Sequence, residues 1–364
     1  AAAAHGLYYA PDPSSQIACS IGGNVAENAG GVHCLKYGLT VHNLVQVTAL
    51  TIDGEIITLG GRGLDSSGYD LLALLTGSEG MLAVIVEATV KLLPKPEATQ
   101  VVMASFADIA AAGDAVAAII GGGIVPGGLE MMDNLAIRAA EDYVHANYPT
   151  DAAAILLCEL DGTAEEVSVQ VFQVREVLLA NGASAVITAQ DEAQRQRLWA
   201  GRKAAFPAVG RLAPDYYCMD GTIPRAQLAP VLRQIGEWSR EFNLPVANVF
   251  HAGDGNLHPL ILYDANKPEE LARAEAFGAK ILELCVAVGG SITGEHGVGI
   301  EKLGQMCVQF GAAELTQFHA IKHAFDPHGL LNPGKAVPTL HRCAEGGRMH
   351  VHGGKLPFPE LERF

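Results

Sequence analysis

The stretch VANVFHAGDGNLHPLILY (246–263) restricts the fold of this chain more than any other. Two apolar runs flank Gly-Asp-Gly-Asn, so the backbone must reverse, and the runs read as an antiparallel hairpin. With Asp254-Gly255 as a two-residue type I′ loop, His251 falls opposite His258. Cross-strand partners stand ~4.5–5.5 Å apart at Cβ on one sheet face. Two imidazoles so placed can share one divalent cation. The same string also makes an ordinary hairpin with two packed histidines. Asp254 reads as a turn former and not as a ligand.

A second glycine-dense stretch, GGSITGEHGVGIEK (289–302), sets Glu295 and His296 side by side. Glycines this dense let backbone approach a ligand closely. Glu295 would complete a His₂-carboxylate set with coordination positions open to substrate. His296 would then be free to act as a base. The plainer alternative is a glycine loop at a strand end with a capping Glu. In WAGRKAAFPAVGR (199–211) the Arg202 fork suits bidentate capture of a carboxylate, unless it lies on a solvated helix face.

Around these strings the chain alternates helix and strand. FADIAAAGDAVAAII (106–120), EEVSVQVFQVREVLLANG (165–182, with Gly182 as C-cap), 228–244 and 268–288 carry helical patterns, and AAAILLCEL (152–160) reads as a strand. Upstream, 20–38 and 44–60 read as β-rich, with Asp53-Gly54 as a hairpin turn and Pro94 and Pro96 as a boundary. GGNVAENAGG (22–31) and TGSEGML (76–82) read as glycine loops whose amides can lie against a pyrophosphate or a planar cofactor. A formal charge of -16 argues against nucleic acid and anionic membrane surfaces as partners. Seven scattered cysteines form no C-x-x-C pair, so neither an iron–sulfur set nor a disulfide framework is expected. No apolar run approaches the ~20 residues of a membrane span. The opening AAAAHGLYYAPDPSS has no initiator Met and reads as the start of a fragment.

PDPSS, SIGGNVAENAGG, LKYG, TGSEG, HAGDGNLHP, GEHGVG and FDPHGLLNPGK occur in an order that resembles the FAD-linked oxidases of the vanillyl-alcohol oxidase type, along the whole chain. The resemblance implies an α+β protein. A partial PCMH-type FAD-binding domain, its N-terminal subdomain missing, covers 1–96. A cap domain with an antiparallel sheet covers 97–322, and 323–364 returns to the FAD domain and ends in a histidine-bearing tail. It implies FAD contacts at Gly22, Gly23, Asn24, Asn28, Gly30, Gly31, Glu79, Gly80 and Asn332. It also implies a divalent metal (Zn²⁺, Mn²⁺ or Fe²⁺) at His251, His258 and Glu295, His296 as base and Arg202 on the substrate carboxylate.

The implied reaction is flavin-dependent oxidation of a D-2-hydroxy acid, in a branch acting on glycolate, D-lactate or D-2-hydroxyglutarate. Leu260 stands where hydroxyglutarate-type members carry Asn, and Phe206 and Cys218 are apolar, so a short substrate such as glycolate or D-lactate is expected. The implied partners are a companion flavin-domain subunit and an iron–sulfur subunit, in the cytoplasm or at the inner membrane face. Two other readings remain: a metal-dependent hydrolase without flavin, and a non-catalytic flavoprotein-like assembly subunit.

Overall fold

The computed structural model describes residues 1–338 except Ile17 and Leu64, so the tail from Leu340 lies outside the described residues. The first unit is built on β1 (Leu44–Leu50), β2 (Ile56–Gly60) and β3 (Val84–Val90), an antiparallel sheet in the order β2-β1-β3. Gly54, at φ 83, lets the β1–β2 hairpin turn.

The expected strand character of 20–38 is not found. Ile21–Glu27 forms helix α1 instead, because Ser20 caps the Gly23 N–H at 3.0 Å and Asn28 closes the helix at φ 51. Cys34–Tyr37 adds a further helical turn. Glycine density masked a seven-residue helix bracketed by a serine and an asparagine. Val25 from α1, Val47 and Ala49 from β1, and Leu75, Met81 and Leu82 make the core of this unit.

The second unit is a seven-stranded sheet. Its strands are β4 (Ala98–Phe106), β5 (Gly128–Asp133), β6 (Ala154–Gly162), β7 (Ala183–Thr188), β8 (Asp215–Cys218), β9 (Val246–Phe250) and β10 (Pro259–Tyr263). The order is β8-β10-β9-β5-β6-β4-β7, antiparallel throughout.

Both faces are covered, so the central strands are buried along their length and read as apolar runs without alternation. One face packs on helices α2 (Ile109–Gly121), α4 (Ala164–Ala180), α6 (Leu228–Phe242) and α7 (Pro268–Ala287) through Phe106, Met131, Leu156 and Phe250. The other packs on α3 (Asn134–Val144) and α5 (Glu192–Lys203) through Met103, Met132, Leu157, Val249 and Leu260. Asn181 ends α4, and Gly182 follows it at φ 85. The C-terminal helix α8 (Ala312–Phe325) lays Ile321 and Phe325 on the core of the first unit.

Candidate active site

The turn at HAGDGNLHP is longer than a two-residue loop. His251 bridges Asn256, and β9 pairs with β10 as Val246–Ile261, Ala247–Leu260 and Asn248–Pro259, so four residues, 252–255, connect the strands. Asp254 Oδ1 accepts the Asn256 N–H at 3.0 Å, which holds the turn, and Gly255 takes φ 83. His251 and His258 are therefore diagonal neighbours rather than directly opposed. The slip is two residues, an even number, so both imidazoles stay on one face. Their ring centroids are 5.1 Å apart.

Parity assembles the rest. His251 continues the phase of Ala247 and Val249, His258 that of Leu260 and Leu262, and Glu130 that of Met132, all on the face covered by α3 and α5. Arg202, in the last turn of α5, is buried against the same face. His251 Nδ1 donates to Glu130 Oε1 at 2.8 Å, and Glu130 Oε2 lies 2.6 Å from Arg202 Nη2. On its other side, His251 Nε2 is 3.1 Å from Glu295 Oε1, and His258 Nε2 is 3.2 Å from the same oxygen. Burial works against a charged His251, but the Glu130 and Glu295 carboxylates outweigh it and raise its pKa well above the ordinary imidazole value. Burial likewise opposes ionised Glu295, and His251 and His258 outweigh it, holding the carboxyl well below its usual range.

The donor atoms of His251, His258 and Glu295 lie within 4.8 Å of one another. His258 is buried, and neither of its ring nitrogens has an aligned hydrogen-bond partner among the described residues. An orphaned buried polar group costs ~1–3 kcal/mol. A cation between the imidazoles and Glu295 removes that cost, so the donor set fits a divalent metal. A second cluster, Asp220, His258 and His296, also falls within that span. It fits poorly, because the Asp220 oxygens already accept from three backbone amides, Thr293 and Lys302.

His296 is exposed, its ring stacked on His258 at 4.9 Å. Desolvation at the cleft wall lowers its pKa, with His258 reinforcing the shift and Asp220 opposing it. Arg202 Nε and Nη2, although buried beside Glu130, have no aligned acceptor among the described residues. Phe206 closes one side, edge-on to His258 at 5.7 Å. Cys218 pairs with Leu260 across β8 and β10, and Leu260 itself belongs to the buried core.

The expected FAD contacts divide. Gly30 comes up to the cluster: a Cβ there would lie 2.5 Å from Glu295 Oε2 and 3.2 Å from its Cβ, so a side chain at 30 would push the Glu295 carboxylate out of its place. Gly31, at φ 130, follows it. Asn28 and Glu79 line a cleft of about 440 Å³ that runs to Glu295 and Gly297. The Glu79 carboxylate is occupied by the Val298 and Gly299 amides at 2.6 and 2.8 Å, and its carbonyl accepts from Asn332 Nδ2 at 2.5 Å. Gly80 turns beside it at φ 70. The other seven do not themselves line the cleft: Gly30, Gly31, Gly80 and Asn332 lie beside it as described, Gly22 and Gly23 form the first turn of α1, and Asn24 is buried. A largely apolar cleft, lined by Leu82, Ile292, Met306 and Phe310 and reaching Glu295 of the metal-type cluster, suits a flat cofactor laid against the reacting centre.

Sequence reasoning missed Glu130, Asp220 and Lys302. A carboxylate in the middle of the otherwise apolar strand GLEMMD, three residues before the helix-capping Asp133, was the available signal for Glu130. Asp220 before Gly221 reads as a simple turn, and Lys302 gave no signal.

Residues 95–336 match the family described as FAD linked oxidases, C-terminal domain, and residues 1–60 match the FAD binding domain. The chain is 69% identical over 364 residues to glycolate oxidase subunit GlcD of Escherichia coli K12, covering 100% of this chain and 73% of that protein. It is 33% identical over 344 residues to a D-lactate dehydrogenase of Anaerostipes hadrus, covering 92% and 72%. Among solved structures, p-cresol methylhydroxylase with substrate bound superposes with a TM-score of 0.71 at 16% identity, covering 92% of this chain and 72% of that one. That likeness carries the fold, in agreement with a PCMH-type flavin domain and an antiparallel cap.

Proposed function

The chain belongs to the FAD-linked oxidases, and on that premise we infer that it oxidises a short D-2-hydroxy acid, glycolate or D-lactate, to the 2-oxo acid, with a divalent cation at His251, His258 and Glu295. The observation that carries the metal-assisted reading is the buried His258, without an aligned hydrogen bond among the described residues, whose Nε2 and that of His251 converge on one oxygen of Glu295. When bound, FAD supplies the hydride acceptor and the cation supplies Lewis acidity toward the substrate hydroxyl. The rest falls to the chain. His296 takes the hydroxyl proton on its imidazole, and the Arg202 guanidinium, its Nη2 beside Glu130, offers its remaining donors to the substrate carboxylate. Glu130 holds Arg202 and His251 in register through its two oxygens, and Phe206 limits the space beside C2.

Residues 1–96 form most of the flavin side, joined by α8 (Ala312–Phe325), which packs on their core, and the sheet unit that follows residue 97 forms the substrate side. Electrons leave through a companion flavin-domain subunit and an iron–sulfur subunit, since the sequence has no C-x-x-C pair. No helix among the described residues is long and apolar enough to cross a membrane. Any contact with the inner membrane face is assigned, within this reading, to those partners.

The test is absorbance of the purified full-length protein, followed by anaerobic addition of glycolate or D-lactate. Yellow flavin bands that bleach support the reading. Colourless protein points to the flavin-free hydrolase, and colour that no 2-hydroxy acid bleaches points to the assembly subunit.

Two further outcomes are expected. Because the His296 pKa is lowered, its neutral form persists through neutral pH and is lost only on acidification. The acid limb of kcat/KM therefore lies below pH ~6.5, the ordinary imidazole value. A limb above pH ~7.5 would assign the base to another group. Phe206→Ala removes the wall beside His258 and shifts the kcat/KM ratio toward longer D-2-hydroxy acids by about tenfold. An unchanged ratio would show that Phe206 does not border the substrate.

A further inference from the structure

Asp220 is fully buried in the bend between β8 and the short strand Gly221–Thr222. Its Oδ2 accepts three consecutive backbone N–H groups: Gly294 at 2.9 Å, Glu295 at 2.6 Å and His296 at 2.9 Å. Its Oδ1 accepts from Thr293 Oγ1 at 3.1 Å and from Lys302 Nζ, which is itself buried and also donates to the Asp220 carbonyl at 3.0 Å. Three successive amides converging on one oxygen form the concave arrangement that binds anions elsewhere in proteins. Here a side chain of the same chain fills it.

The bend carrying Asp220 is fixed on two sides. Gly221–Thr222 pairs with Asn256–Leu257, the start of the strand that presents His258. Thr222 and Ser291 exchange backbone hydrogen bonds of 3.0 and 2.9 Å, which docks the start of the glycine-rich loop on the same segment. Gly294 is forced by this packing, because a Cβ there would overlap the Asn256 side chain. One bend thus sets both the hairpin with the histidines and the loop with Glu295 and His296.

We propose that Asp220, supported by Lys302, is a positioning residue that fixes the Gly294–His296 backbone, so that Glu295 faces His251 and His258 while His296 stacks over the open side of His258. The proposal rests on the metal-assisted reading above. A bare structural ion pair would need no more than Lys302. Instead, Asp220 gathers the amides of the proposed ligand, the proposed base and the glycine before them.

The experiment uses Asp220→Asn in the flavin-loaded full-length protein. Asn keeps the volume and one acceptor but weakens the three amide bonds and turns an NH₂ group toward Lys302 or the loop. Two quantities are read: the Co²⁺ dissociation constant by chelator competition, and the rate of anaerobic flavin reduction. Each is expected to worsen about 10–100-fold, the usual effect of an outer partner of a metal ligand. At saturating Co²⁺ the positions of the visible absorption bands should match those of the unaltered protein.

Both quantities within twofold of the unaltered protein would overturn the proposal. Shifted bands would overturn it too, because Asp220 would then be a ligand. Should Asp220→Asn fail to fold, Asp220→Glu keeps the ion pair but displaces the oxygens, and the same limits apply to it. Glu295→Gln is the control for the underlying reading. If it binds Co²⁺ as well as the unaltered protein does, the metal assignment has failed, and the flavin-reduction rate alone then decides for or against Asp220.

Discussion

His296→Ala is expected to slow anaerobic flavin reduction by about 10²–10⁴-fold, the usual contribution of a positioned general base, with flavin content and metal content unchanged. The two halves of that result come from the same geometry. The residue is exposed although its ring is partly desolvated, and it makes no hydrogen bond to another side chain among the described residues, so removing the imidazole opens no core and leaves no buried group unpaired. Its remaining tie is the stack on His258, worth little in stability. The backbone N–H of residue 296 stays bound to Asp220, so the loop keeps its shape. Loss of metal along with activity would make His296 a ligand, and near-normal reduction would remove it from the chemistry. Thermal melting and metal content measured on the same sample separate these outcomes.

Arg202→Met is the second large effect, and it falls on stability as well as catalysis. Arg202 and Glu130 are both fully buried, 2.6 Å apart. Breaking a buried ion pair from one side costs about 3–5 kcal/mol, because the other charge is stranded. Glu130 keeps His251 as a partner, which places the loss near the lower figure. The melting temperature should fall by about 4–6 °C. Adding Glu130→Gln removes the stranded charge and should recover about half of that fall, since replacing both members of a buried pair is far milder than replacing one. Activity should not return in the double variant, because no guanidinium remains for the substrate carboxylate. A single variant that melts with the unaltered protein would show that the pair contributes nothing. Recovery of turnover in the double variant would dismiss Arg202 as the carboxylate anchor.

The elements that could be read from the sequence are those whose signals are local. The helices at 109–121, 164–180, 228–242 and 268–287 follow apolar periodicity, and the hairpin at 246–263 follows its Gly-Asp-Gly turn. His251, His258 and Glu295 could be grouped because glycine-rich strings mark both of their segments. The hairpin register was misjudged, since a turn motif fixes the reversal of the chain but not the loop length. It did no harm because each histidine takes its facing from the apolar phase of its own strand. α1 was hidden because its first turn is two glycines and its signal sits in the flanking Ser20 and Asn28. Glu130 lies 121 residues from the imidazole it supports, and Asp220 lies 76 from the amide of His296. No pattern within one segment reports such contacts, because burial of those carboxylates depends on strands that meet only in the folded chain.

The two faces of the seven-stranded sheet differ in what they tolerate. Met132, Val249 and Leu260 are the immediate neighbours, on the same face, of Glu130, His251 and His258, whereas Met131, Phe250 and Ile261 point to the opposite core. A cavity-filling or repacking programme aimed at the second group can raise the melting point without moving a ligand. The same programme on the first group shifts the site by the fractions of an ångström that positioned chemistry does not forgive. For protein engineering, the sheet is a partition: one side is free for gains in robustness, and the other is committed to turnover.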